Sequence, residues 1–260
     1  MIQKIDEHKL NILRDTACNY ASPDVLRRDG KVFFIGCNLP IYNTLETMYE
    51  SYCLESSELF HVTFGTAAEF ERNIEMVRQI KRNFSIRLMG QISYPLSVSQ
   101  VERVYLAGLD ILDFPHDAGD RDQWTTAFSS ATAAFTRWSV ASSIIAGQTT
   151  PQAVKENIKE LLDNGIIPLL TFAEESSGWS VEEAGGLSRF LAAEWHRHRV
   201  PLKPVMPLLR LTTPYVFAGS PGFLREVIDK LHDRHILATS DIRRHLRTSG
   251  AEASFESAGL

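Results

Sequence analysis

The sequence predicts an α/β fold in which parallel βα units close, wholly or in part, into a TIM-type (βα) barrel. Three observations carry that prediction. Six short apolar runs recur between residues 32 and 172, each nearly continuous, as expected of strands covered on both faces. Amphipathic stretches with legible ends separate them, which is the alternation of parallel βα units. No run is followed by a glycine-rich dinucleotide fingerprint, which favours a barrel over a doubly wound sheet.

Taken in order, residues 3–28 read as one or two helices that cover the bottom of the barrel. The strands are then VFFIG (32–36), LFHVTFG (59–65), SIRLMGQI (85–92), LDILDF (109–114), SVASSIIAG (139–147) and IIPLLTF (166–172). After GTAAE, Phe70, Ile74, Val77 and Ile80 follow helical spacing. SVSQ (97–100) has the form of a capping box, and Gly108 closes the helix it opens. Thr150 stands at an N-cap with Pro151 at the first helical position, Val154, Ile158, Leu161 and Leu162 on one face, and Gly165 just past the end. SVEE (180–183) opens a helix that runs to about His198, and SPGFLREVIDKL (220–231) begins another. We read one domain: a helical cap over 1–28, a barrel core over 30–212, C-terminal helices over 213–247 and a flexible polar tail over 248–260.

Composition removes several classes of function. With 44% hydrophobic and 23% charged residues, the chain of 260 is an ordinary globular one. Its net charge of -5 is interleaved along the sequence, which speaks against nucleic acid as a partner. The longest apolar runs fall short of a membrane span, and the N-terminus is too charged for a signal peptide, so a cytoplasmic protein is expected. Cys18, Cys37 and Cys53 are spaced by 19 and 16 residues, which matches no zinc or iron–sulfur pattern.

In a barrel the chemistry sits at the C-terminal ends of the strands. There DFPHDAGDRDQW (113–124) gathers His116 with Asp113, Asp117, Asp120 and Asp122; a histidine beside carboxylates can act as a general base or a metal ligand. The same composition also suits a turn that caps the next helix. Glu174 and Glu175 follow the sixth strand and can bind a cation, an amine or a ribose, or stand as solvated loop charge. His196 and His198 are two apart on a helix and do not share a face. DIRRHLR (241–247) reads as a short basic helix with a solvated face. The P-loop, zincin, nucleophile-elbow and C-x-x-C patterns do not occur.

From Val62 to Phe172 the chain resembles the radical S-adenosylmethionine superfamily, in its biotin synthase and hydrogenase-maturase-like branch. The resembling pieces are VTFGTAAEFERNIEMVRQIK, IRLMGQISYPLSVSQVERVYLAGLDILDFPHDA and WSVASSIIAGQTTPQAVKENIKELLDNGIIPLLTF, in the family's order. Gly90, Ser97, Gln100, Ala107, Gly108 and Asp110 fall on its strand-three to strand-four pattern, and Ile145 and Gly147 on its fifth strand, where Ser143 replaces a glycine. The resemblance implies a (βα)6 core with extra terminal helices and S-adenosylmethionine in its mouth. Adenine would lie beside Ser143, Ile145 and Gly147, and the methionine amino group by Gly65 and Thr66, with the acidic residue of that turn displaced to Glu69.

The family also needs C-x-x-x-C-x-x-C after the first strand to hold a [4Fe–4S] cluster. Cys37 stands at the first of those positions, but Ile41 and Thr44 occupy the other two, so a cluster is not expected. Asn38 and Tyr42 are then expected to fill or line the vacated place. The first reading is a cluster-less relative, an accessory or pseudo-enzyme subunit that binds a small molecule such as S-adenosylmethionine beside a homologous radical enzyme. One alternative is a barrel enzyme with non-radical chemistry, His116 as base or ligand and Asp117 or Glu174 orienting it. The others are a cluster held atypically by Cys37, Cys53 and an outside ligand, and an unrelated barrel such as a folate-linked methyl-transfer protein.

Overall fold

A computed structural model describes residues 2–15, 22–54, 57–115, 121–172 and 178–217. Its centre is a seven-stranded sheet in the order β2 (Leu26–Asp29), β3 (Val32–Gly36), β4 (Leu59–Thr63), β5 (Arg87–Gln91), β6 (Ile111–Asp113), β7 (Val140–Ala146) and β8 (Ile167–Phe172). From β3 to β8 every neighbour is parallel and sequential, and β2 is added antiparallel at one edge. The sheet curls into a half-barrel. All six expected strands are present, within two residues of where the apolar runs placed them.

Between the parallel strands run α2 (Ile41–Leu54), α3 (Phe70–Asn83), α4 (Val98–Ala107), α5 (Arg121–Ala134) and α6 (Pro151–Asp163), and α7 (Val181–Arg197) follows β8. Their starts are local chemistry. Ser97 and Gln100 form a reciprocal capping box, Ser180 and Glu183 form another, and the Thr150 hydroxyl accepts from the Ala153 N–H, with Pro151 behind it. Gly108 ends α4 at φ 116°, a conformation in which a side chain would be strained.

In a parallel ladder, residues in register point to the same side and neighbours along a strand alternate. Phe60, Val62, Leu88, Leu112 and Ile144 therefore share the convex face, where they meet the buried stripes of the helices, such as Ile74, Val77 and Val104. At the strand starts, Asp110 accepts from the Leu88 N–H at 2.9 Å and pairs with Lys81 at 3.2 Å, which ties α3 to the β5–β6 junction. This aspartate, one of those the resemblance picks out, thus serves the framework, at the end of the sheet away from the mouth.

The N-terminal segment differs from the expected helical cap. It holds a strand β1 (Ile2–Ile5), one helix α1 (Glu7–Asp15) and the edge strand β2, which turns back into β3 through Gly30 at φ 52°. β2 carries Arg27, Arg28 and Asp29 among its four residues; an edge strand needs no apolar run because one side of its ladder faces outward. The region after 212 also differs, because β9 (Tyr215–Phe217) pairs antiparallel with β1. The expected helices at 220–231 and 241–247 and the tail lie outside the described residues.

Pairing of β1 with β9 brings α1 and α8 (Met206–Thr212) to the open side of the half-barrel, where Leu13, Leu208 and Thr212 reach the concave face. The Tyr215 hydroxyl donates to the Ser188 carbonyl of α7 at 2.8 Å, and the Arg14 guanidinium donates to the Trp179 carbonyl, which anchor this closure. No described helix is long and apolar enough to cross a membrane.

Candidate functional site

The concave face carries the opposite parity: Phe34, His61 and Met89 in one row, Thr63, Gln91 and Asp113 in the next, then Ser143, Leu169 and Thr171 on β7 and β8. Polar residues thus collect on one side of strands that otherwise read as apolar. Asp113, the last residue of β6, is 0% exposed. The parallel ladder runs as far as the Phe114 N–H, which donates to the Ala141 carbonyl. Beyond that rung the Asp113 carboxylate takes the place of backbone: Oδ1 accepts from the Ser143 N–H at 3.0 Å. Oδ2 accepts from the Ser143 hydroxyl at 2.7 Å and from the Gln91 amide at 3.0 Å. Burial pushes this carboxyl up to about 6, against the pull of those three hydrogen bonds.

Beside the network is a cavity of about 50 Å³. Gln91, Ser143 and Thr171 supply its polar wall, Leu13, Leu169 and Leu208 its apolar one. His61 and Phe34 face it with ring centroids 5.4 Å apart. The His61 Nδ1 is buried with no hydrogen bond of standard geometry among the described residues, and burial pushes the imidazole down to about 4, so the ring is neutral at pH 7.

The Cys37 corner is built differently. Cys37 is fully buried, its N–H donates to the Thr63 carbonyl at 3.0 Å, and burial pushes its thiol up, so it stays protonated. The chain then enters α2 at Ile41, and the Thr44 hydroxyl donates to the Pro40 carbonyl at 2.7 Å. One protonated thiol, an aliphatic chain and a committed hydroxyl do not fit a cluster tripod. Among the described residues, no three His, Cys, Asp or Glu side chains converge on one point. Tyr42, expected to fill or line the vacated place, is 80% exposed on the first turn of α2 instead, because the helix begins there and turns that position outward. Asn38 does stay at the corner, where its amide donates to Asp24.

Gly65 and Thr66 follow β4. A Cβ on Gly65 would lie 2.3 Å from Glu69 Oε2 and 2.6 Å from Asn38 Oδ1, so only glycine leaves room for both. Glu69 folds back to accept from the Thr66 N–H at 2.9 Å and the Thr66 hydroxyl at 3.1 Å, and these bonds hold its carboxyl below the usual range. Arg72 donates to the Asn38 and Leu39 carbonyls. Behind them the buried Asn73 amide and the Tyr94 hydroxyl have no hydrogen bond of standard geometry among the described residues, and burial pushes Tyr94 up to about 12.

The residues that the resemblance picks out have these places in the structure. Gly65 and Thr66 belong to a cap after β4, while Ser143 lies in the cavity network, Ile145 is half-buried one step nearer the mouth on the same face, and Gly147 turns at φ 95°. His116, Asp117, Asp120, Glu174 and Glu175, and the side chains of Cys53 and Asp122, lie outside the described residues. The group missed in the sequence is His61, together with the particular role of Asp113; the legible signal was parity, since His61 and Thr63 alternate on one face of LFHVTFG. At the end of α7, His198 lies 3.6 Å from Glu194, which Arg197 also pairs, and His196 is exposed. No protein-family model matches the chain, and no curated protein matches it in sequence.

Proposed function

We propose that the protein binds a small molecule on the concave face of a partial (βα)6 barrel of the radical S-adenosylmethionine type, at a mouth that holds no iron–sulfur cluster. The observation that supports this reading is the Gln91–Asp113–Ser143 network: a fully buried carboxylate kept beside a small cavity. A core gains no stability from such a charge, since apolar groups of similar volume do as well or better. A charge placed there points to recognition. Six parallel strands in sequential order, with Cys37 just past the first, support the barrel type.

Asp113 stands behind Gln91 and Ser143 and does not itself line the cavity, which favours recognition over direct proton abstraction. A second reading, acid–base chemistry at the same place, is favoured by His61, a neutral imidazole on the cavity wall whose Nδ1 makes no hydrogen bond of standard geometry among the described residues. The cavity takes a head group; the remainder of a nucleoside-sized ligand would lie toward the mouth over Ile145. The test is anaerobic purification with iron and sulfide analysis, then calorimetry with S-adenosylmethionine and a metabolite collection on the wild type and on Asp113→Asn. Negligible iron with saturable binding that the variant loses is the expected result. About four irons per chain, or binding indifferent to Asp113→Asn, overturns it.

A further inference from the structure

Within this cavity the direction of each hydrogen bond restricts what can enter. A hydroxyl has one hydrogen to donate and two lone pairs to offer. The Ser143 hydroxyl spends its hydrogen on Asp113 Oδ2, Thr171 on the Ile144 carbonyl at 3.3 Å, and Thr212 on the Leu208 carbonyl at 3.1 Å. All three line the cavity, so each has only lone pairs left for a ligand. Gln91 directs its amide nitrogen to Asp113, the orientation a carboxylate enforces, which frees its carbonyl oxygen as a further acceptor.

The donors that remain on the described wall are the second amide hydrogen of Gln91 and one ring N–H of His61. Among the described residues no lysine or arginine lines the cavity, and His61 carries no charge at neutral pH. An anionic head group would therefore meet a ring of lone pairs with a carboxylate behind it. The space amounts to roughly four waters, which suits a head of a few atoms. Leu13, Phe34, Leu169 and Leu208 offer apolar contact to whatever carries that head.

Resting on the small-molecule reading above, we propose that the ligand presents a nitrogen head group that only donates hydrogen bonds, a primary ammonium or an amidinium, on an apolar stem. The Ser143, Thr171, Thr212 and Gln91 oxygens accept from it, and the Asp113 carboxylate behind them compensates its charge. Acids and phosphates of the same size are excluded by the same groups.

The experiment titrates the whole chain with n-butylammonium, butanamidinium, n-butanol and butyrate at pH 7.5, following the His61 ring resonances by NMR. The expected result is saturable millimolar binding of the two cations, at least tenfold tighter than butyrate. Thr171→Val, which keeps the shape and removes an acceptor, weakens the cations at least threefold with the rest of the spectrum unchanged, and Ser143→Ala serves if that variant does not fold. Butyrate or butanol binding as tightly as the cations overturns the donor-only class and leaves the small-molecule reading standing, as does cation affinity indifferent to both variants. If no probe of any charge moves the His61 ring, the small-molecule reading falls as well.

Discussion

The Cys37 corner and the Asp113 cavity sit on the same curled sheet, and both contain residues that the resemblance picks out, yet they use polar groups in opposite ways. At the corner the charged groups serve the backbone: Glu69 caps the turn at Thr66, and Arg72 holds the Asn38 and Leu39 carbonyls. At the cavity, side chains bind one another with a fixed direction, and what they leave over points into a space. The first arrangement is what a turn needs in order to be stable. The second costs stability, because it holds a charge and a neutral imidazole away from water. Matching residue types to a motif finds both kinds without telling them apart; hydrogen-bond direction does.

The largest expected effect tests that contrast through pH. Asp113 is raised from 3.8 to about 6, so its contribution to stability is complete below pH 3.8 and is lost, by about 3 kcal/mol, as pH rises through 6. His61 is lowered from 6.5 to about 4, so its contribution is complete above pH 6.5 and is lost, by about 3 kcal/mol, as pH falls through 4. Between these limits the two slopes oppose each other and the pair is close to silent. Asp113→Asn is expected to unmask the histidine, giving stability that rises with pH, and to leave the protein more stable than wild type at pH 7 while small-molecule binding is lost. His61→Gln is expected to unmask the aspartate, with stability falling as pH rises. Urea denaturation from pH 4 to pH 7 reads both slopes; profiles parallel to wild type in both variants would remove the cavity from the comparison.

A smaller effect is expected from Gly65→Ala. The added carbon must displace the ends of Glu69 and Asn38, which are flexible, so the variant folds and loses about 1–2 kcal/mol. Unlike Asp113→Asn, it brings no gain at any pH and leaves cavity binding intact. Equal loss of binding in the two variants would join the corner and the cavity into one site.

These differences also say what the sequence could show. Parallel strands were legible because burial on both faces makes them continuous apolar runs, and the caps at Ser97, Thr150 and Ser180 because their partners lie three residues away. β2 and β9 were not, since an edge strand full of charge and a three-residue strand paired with the N-terminus owe their form to distant partners. At the site, Ser143 was picked out by resemblance and Asp113 as one of several loop carboxylates. Only register places the Asp113 that ends β6 on the concave side behind the cavity wall, and only the β3–β4 ladder shows that His61 shares its side with Phe34. Chemistry that depends on parity across strands leaves a faint trace along one of them.

The smallest expected effect is at Cys37 itself, and it tests the corner hardest because the expectation is that almost nothing happens. A thiol that is fully buried and held protonated is neither a nucleophile nor a ligand until the protein opens. In a chain carrying Cys18→Ser and Cys53→Ser, Cys37 should react with a disulfide reagent at pH 8 only as fast as the protein unfolds, and at the rate of a free thiol once urea is added. Cys37→Ala should cost about 1 kcal/mol, the loss of one small buried group, and leave cavity binding unchanged. Fast labelling of the folded chain, or binding lost in Cys37→Ala, would mean that the thiol faces a ligand. The corner would then share in the chemistry, and the division between a structural corner and a recognising cavity would have to be drawn elsewhere.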